Sequence, residues 1–260
     1  MGGTALGIID TLTDGFSRVA KKLWLVAIPV LLDLFLWRGP KISIHPVVVR
    51  MVKLLKQTTD MVAAEAIPDV GTSEVFGAMI DMLQNTLGKT NLFALLGWSQ
   101  LGVPSIAGVL PVDEAGTWVF QITDYGVMLL LQLLIMGLGL LIAAAFLGIL
   151  AQELREETRD LRRMARDTLV YWVYLAAIVV PLGLFILFSL SFSLLLGPLS
   201  IFVGVLLLWI TLYLAFVPQA VTLFDLNPIR AVLTSFTVVR TSFWPAVGFL
   251  LLVNVINRGL

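Results

Sequence analysis

Residues 126–150 read GVMLLLQLLIMGLGLLIAAAFLGIL, and these twenty-five residues decide the fold class. Gln132 is the one strongly polar side chain among them. At a helical rise of about 1.5 Å per residue the stretch reaches about 37 Å, which exceeds the ~30 Å hydrocarbon core of a bilayer and predicts a tilted transmembrane helix. The rest of the chain agrees with that solvent. Of its 260 residues 59% are hydrophobic and 13% are charged, with a mean hydropathy of +0.98, whereas a water-soluble domain carries roughly 25% charged residues. Lys plus Arg and Asp plus Glu both number 17, so no excess of positive charge favours nucleic acid as a partner. The absence of cysteine and the single histidine remove disulfide frameworks, thiolate nucleophiles, Cys-ligated metals and most triad chemistry.

Four further apolar segments flank this one. Residues 23–37 form a first span with Trp24 and Trp37 at its ends, where indole rings favour the headgroup layer. That run ends in the bulky Phe35, Leu36 and Trp37 and lacks the small-residue cleavage site of a secretory signal. Residues 169–190 and 199–220 read as a hairpin turning at 191–198, and 244–256 as a fifth span. The predicted fold class is all-α, a polytopic transmembrane helix bundle with interfacial amphipathic helices and a small helical extracytoplasmic cap. Lys and Arg concentrate before Trp24, within 151–167 and within 221–242, and are missing from the 191–198 turn. The positive-inside rule therefore places the N-terminus in the cytoplasm of a multi-pass protein of the plasma membrane, in bacterial terms the inner membrane.

Aligning Trp24, Trp172 and Trp244 exposes a recurring unit: an amphipathic helix, a basic residue, the tryptophan, then an apolar span. Phe16, Met164 and Phe236 lie eight residues before each tryptophan. Ile8, Ile9, Leu12, Phe16 and Val19 share a helical stripe in the first copy, within residues 1–22. Ile229, Val232, Leu233, Phe236 and Val239 do so in the third, within 228–240, where Asn227 and Pro228 supply an N-cap and a first-turn proline. The middle approach, 151–167, pairs opposite charges at helical spacing, as in Glu156/Arg159, Asp160/Arg163 and Arg163/Asp167. It reads as a charged cytoplasmic helix, solvated and self-paired, or else a docking site for a partner or anionic headgroups through Arg162 and Arg163. If every unit contributes one in-plane helix and two spans, six spans are expected where five are present, so either a sixth follows Leu260 or the last unit is half a hairpin, the former being favoured.

The stretches 227–236, NPIRAVLTSF, and 242–252, SFWPAVGFLLL, resemble the helix-plus-span units of six-span bacterial and archaeal membrane proteins. That group includes the membrane domain attached to some glycerophosphodiester phosphodiesterases and the YciC-like proteins. The resemblance implies a membrane domain with no soluble phosphodiesterase domain in this chain.

Residues 39–117 form an extracytoplasmic helical insertion. One amphipathic helix is expected over 46–67, with Val48, Met51, Val52, Leu55 and Val62 on one face, and a second over 72–87, with Phe76, Met79, Ile80, Leu83 and Leu87. Residues 91–111 are apolar but interrupted by glycine and proline, the pattern of an interfacial or re-entrant segment. Met51 and Met79 suit an adaptable apolar surface; with Phe16, Phe236, Arg162 and Arg163 they are the candidate contacts to lipid or partner. Asp33 is the carboxylate inside a predicted span, either a proton or ion site or an interfacial group. Gln132 and Thr211 are expected as interhelical hydrogen-bond partners or interface residues, and Gly139/Ala143 and Ala144/Gly148 to allow close helix contact. No phosphate-cradling loop, zinc signature or Ser/His/Asp set can be assembled, so no catalytic residue, metal or cofactor is expected. The function read from the sequence is a non-catalytic integral membrane protein that organises lipid or a protein partner. The alternative is a transporter or channel component using Asp33 and the polar residues of the bundle.

Overall fold

A computed structural model of the chain describes residues 13, 15, 17, 20–63, 77, 80–81, 84–85, 88–97, 118–155, 161–196 and 200–258. The N-terminal amphipathic stripe with Phe16, most of the second outer helix with Met79, and residues 98–117 lie outside them. The chain contacts form two compact units, one holding Val30–Gly97 and Ser105–Gly139, the other Met1–Pro29, Trp98–Pro104 and Leu140–Leu260.

Helix α1 (Ala27–Arg38), entered through a 3-10 turn at Leu23–Val26, belongs to the first unit from Val30 onward and stops at Gly39. The Gly39 N–H donates to the Phe35 carbonyl at 2.7 Å, and a Cβ at residue 39 would collide with that same oxygen. Only glycine closes the helix this tightly. Strand β1 (Lys41–Ser43) then pairs in parallel with β2 (Val119–Gln121), Ile42 opposite Phe120. Lys41 N–H to Trp118 O at 2.8 Å and Ile122 N–H to Ser43 O at 3.0 Å extend the ribbon. A parallel pair requires a long connection, and the 39–117 insertion supplies it, so this ribbon ties the two ends of the insertion together. It is a small non-helical addition to a predominantly helical chain; three-residue strands are too short to leave a period in the sequence. The buried Asn91 braces the ribbon, its Oδ1 accepting from the N–H groups of Ile42 at 3.0 Å and Phe93 at 3.2 Å.

Helix α2 (His45–Ala63) begins where Ser43 Oγ accepts the His45 N–H. It buries Val47, Val48 and Val52, the last two against Ile80 and Ile44. Met51 stays exposed beside that face. Helix α3 (Tyr125–Arg155) is capped by Asp124, whose Oδ1 accepts the Val127 N–H at 2.9 Å. Within the first unit, Gly139 of α3 meets the backbone of the Leu92–Gly97 3-10 turn, where an added Cβ would lie 2.7 Å from the Leu95 carbonyl oxygen.

The second unit contains α4 (Leu161–Leu196), α5 (Ser200–Leu214), α6 (Val217–Leu223), α7 (Pro228–Thr241) and α8 (Phe243–Arg258). Ala143 and Ala144 are buried, and Gly148 faces the Tyr171 ring, from which an added Cβ would stand 3.4 Å. Of the two small-residue pairs, Gly148 is the member seen against another helix, Tyr171 of α4. The charged segment 151–167 is corrected in part: it is no separate helix, because α3 runs on to Arg155 and α4 starts at Leu161 and continues through Trp172. The sequence between Asp167 and Trp172 holds neither proline nor glycine, so nothing bends the chain there. The Arg163–Asp167 pair does form, at 3.7 Å.

Among the described residues three segments, Tyr125–Arg155, Arg162–Ile186 and Ile201–Leu223, are long and apolar enough to cross a membrane, and a fourth crossing results if the bent pair Pro228–Thr241 and Phe243–Val253 counts as one. The chain is a predominantly helical membrane protein. The twelve residues of α1 reach about 18 Å, short of a ~30 Å core, and the 23–37 segment is not among these spans.

Candidate functional site

Helix α7 starts as its sequence dictates. Asn227 adopts an extended backbone and its Oδ1 accepts the Arg230 N–H at 2.9 Å, with Pro228 in the first turn where no N–H is needed. It stops at Ser242, and α8 leaves at 104° to it. Pro245 falls in the first turn of α8, the one place in a helix that tolerates it. The third sequence unit is thus two helices, sharply angled.

At about 100° per residue, the side chains of α7 sort into three faces. Ala231, Ser235 and Val239 are fully buried against the second unit. Ile229, Leu233 and Phe236 are exposed and apolar, and Arg240 lies among them on the same stripe. Arg230, Thr237 and Thr241 form the third face, exposed and polar. The single stripe expected from the sequence therefore splits: Val239 turns inward, while Ile229, Leu233 and Phe236 remain outside.

The buried face is built around an interruption. Between α5 and α6 the chain breaks at Ala215 and Phe216, just before Pro218 denies the helix a donor. Ser235 fills the gap, its hydroxyl donating to the Tyr213 carbonyl at 2.6 Å and accepting the Phe216 N–H at 3.2 Å. Aromatic rings surround the joint. Phe236 stacks on Tyr213 at 4.5 Å, and Trp209 stacks on Phe243 at 5.7 Å. Phe236 is therefore a packing residue as well as a candidate contact.

The turn from α6 into α7 is held by a polar latch. Arg155, at the end of α3, donates from Nη1 to Asp225 Oδ2 at 2.6 Å, from Nη2 to the carbonyls of Thr222 and Leu223 at 2.7 Å each, and from Nε to Leu223 O at 3.1 Å. The terminal carbonyls of α6 are thereby satisfied by a cation, which also suits the negative end of that helix. The Tyr171 hydroxyl donates to Asp225 Oδ1. Asp225 takes a left-handed backbone, φ 52°, a conformation that aspartate tolerates better than most residues. Burial pushes the Asp225 carboxyl up, but the hydrogen bonds from Arg155 and Tyr171 and the charges of Arg155 and Arg163 outweigh it and hold the group below the ordinary carboxylate range. Beside the latch, Lys22 pairs with Glu153.

Asp33 is half-buried on α1, next to the buried Leu32. Gln132 is exposed, among exposed Leu129, Leu130 and Leu133, rather than bonded between helices, and the Thr211 hydroxyl donates to Leu207 O of its own helix. Arg162 and Arg163 are exposed near the start of α4. Among the described residues no group of three or more His, Asp or Glu is placed to hold a metal ion. The latch escaped the sequence reading because its members are up to 70 residues apart; the signal that could have found it is Asp225, a carboxylate in the short Phe224–Asn227 link between apolar segments. Comparison with family models, with curated proteins and with solved structures finds no match to the chain.

Proposed function

We propose that the protein is a non-catalytic, multi-pass plasma-membrane protein that organises lipid or a protein partner through α7, a helix lying in the cytoplasmic interface. The three-faced surface of α7 carries this reading. A helix in water needs two faces and a helix in hydrocarbon needs one; a protein-facing, an apolar exposed and a polar exposed face together suit a helix where protein, acyl chains and headgroups meet. The 104° angle to α8 supports it, because two helices so inclined to each other cannot both run along the membrane normal. Arg155, Arg162, Arg163 and Arg166 and the arginines of α7 then share the N-terminal side. The same in-plane helix followed by a span is the unit by which the chain resembles the six-span proteins.

Purified protein reconstituted in vesicles tests the reading against transport. The expected result is lipid or a specific membrane protein retained through purification, weakened by Phe236→Ser, with no proton or ion flux. A flux that Asp33→Asn abolishes would replace it with the transporter reading.

A further inference from the structure

The lipid-facing stripe of α7 is not purely apolar. Arg240 lies on it, about 13° from the mean direction of Ile229, Leu233 and Phe236 on a helical wheel, and it is exposed. A guanidinium in that position cannot remain among acyl chains. Its stem lies along the stripe while its head reaches the layer of phosphates. Arg230 stands ten residues earlier on the adjoining polar face, and the helix Pro228–Thr241 contains no carboxylate, so neither cation has an acidic partner within α7. Trp244, one turn after Arg240 and beyond the bend, is 77% exposed, with its indole suited to the same depth. The geometry points to Arg240, with Trp244 beside it, as a headgroup site that selects anionic phospholipid. The inference rests on the proposed interfacial placement of α7 and adds the chemistry of the lipid.

The guanidinium forms two parallel hydrogen bonds to a phosphate, which every phospholipid offers. A zwitterionic headgroup, however, brings its own cation to the site, whereas an anionic glycerol headgroup does not. One basic residue near an anionic surface contributes about 1 kcal/mol, equivalent to about 5-fold local enrichment.

The probe is Trp244 fluorescence, taken as the difference between the native chain and Trp244→Phe. Each protein is reconstituted in mixed phosphatidylglycerol and phosphatidylcholine vesicles in which one lipid or the other carries brominated acyl chains. Brominated phosphatidylglycerol should quench Trp244 beyond its bulk fraction, by up to about 5-fold in apparent local concentration, and Arg240→Gln should bring the ratio to the bulk value while Arg240→Lys keeps part of the excess. Equal quenching by both lipids in the native chain overturns the anionic site but leaves α7 at the membrane. No quenching by either lipid overturns the site and the interfacial reading together. Should Arg240→Gln fail to reconstitute, the native ratio and that of Arg240→Lys decide the matter.

Discussion

Replacing Ser235 with alanine removes a single oxygen yet should cost more than any other conservative change on α7. The site is fully buried, and the lost hydroxyl serves two backbone groups, the Tyr213 carbonyl and the Phe216 N–H. Each lies at the break between α5 and α6, where Ser235 stands in for a regular helical partner. A buried polar group stripped of its partner costs about 1–3 kcal/mol, and two such groups give about 2–6 kcal/mol. For a chain of this size 1 kcal/mol moves the midpoint by about 2–4 °C, so the apparent Tm of the detergent-solubilised protein should fall by at least about 4 °C and by up to about 24 °C. Thr237→Ala is the control, because the Thr237 hydroxyl only donates to Leu233 O of its own helix at 2.8 Å on an exposed face. It should shift Tm by no more than about 2 °C. A Ser235→Ala protein within 2 °C of the native one, or a Thr237→Ala protein equally destabilised, would refute the role given to this joint.

Other consequences follow from contacts elsewhere. Gly139→Ala should destabilise by about 1–3 kcal/mol in an unfolding titration, since the new methyl meets the Leu95 carbonyl; Gly137→Ala, two residues away with nothing within 4 Å of the new atom, should be neutral or stabilising by up to about 1 kcal/mol. Arg155→Lys keeps the charge but loses the fork that binds Asp225 and two carbonyls together, and should lower stability by about 2 kcal/mol, visible as a lower Tm. The Asp225 carboxyl is held below its ordinary value of 3.8 in the folded protein. Its stabilising contribution is therefore complete above about pH 4 and fades as pH falls through the lower folded value. Asp225→Asn should be less stable at neutral pH and show a weaker loss on acidification in Tm scans; an unchanged acid profile would show that the latch carboxylate does not couple to folding.

How much of this was legible in the sequence depended on the distance over which each feature is determined. The start of α7 could be read because Asn227, Pro228 and Arg230 make the cap among themselves, and the bend could be read because Trp244 and Pro245 open a new helix. The long spans declared themselves by composition. The faces of α7 could not be read in full: Val232, Val239 and Ile229 are equally apolar, and only Ala231 and Ser235, small enough for close approach, decide which side packs. Gln132 looked like a bundle residue because polarity in a span suggests a partner, yet the faces of an all-apolar helix leave its rotation undetermined. The β1–β2 ribbon and the Arg155 latch join residues far apart in the chain, and the run of alternating charges that begins at Arg155 carries no local sign of its distant partners.

Because the chain has no cysteine, nitroxide labels can be placed singly along α7 and their exposure to oxygen, which partitions into acyl chains, compared with exposure to a water-soluble nickel chelate. This measurement bears most directly on the central claim that α7 lies where protein, lipid and headgroups meet. Labels at Ile229, Leu233 and Phe236 should favour oxygen, and labels at Arg230, Thr237 and Thr241 should favour nickel, alternating with the helical period. Oxygen preference at all six positions would place α7 within the hydrocarbon as part of a bent span, nickel preference at all six would lift it off the membrane, and either result would contradict the account.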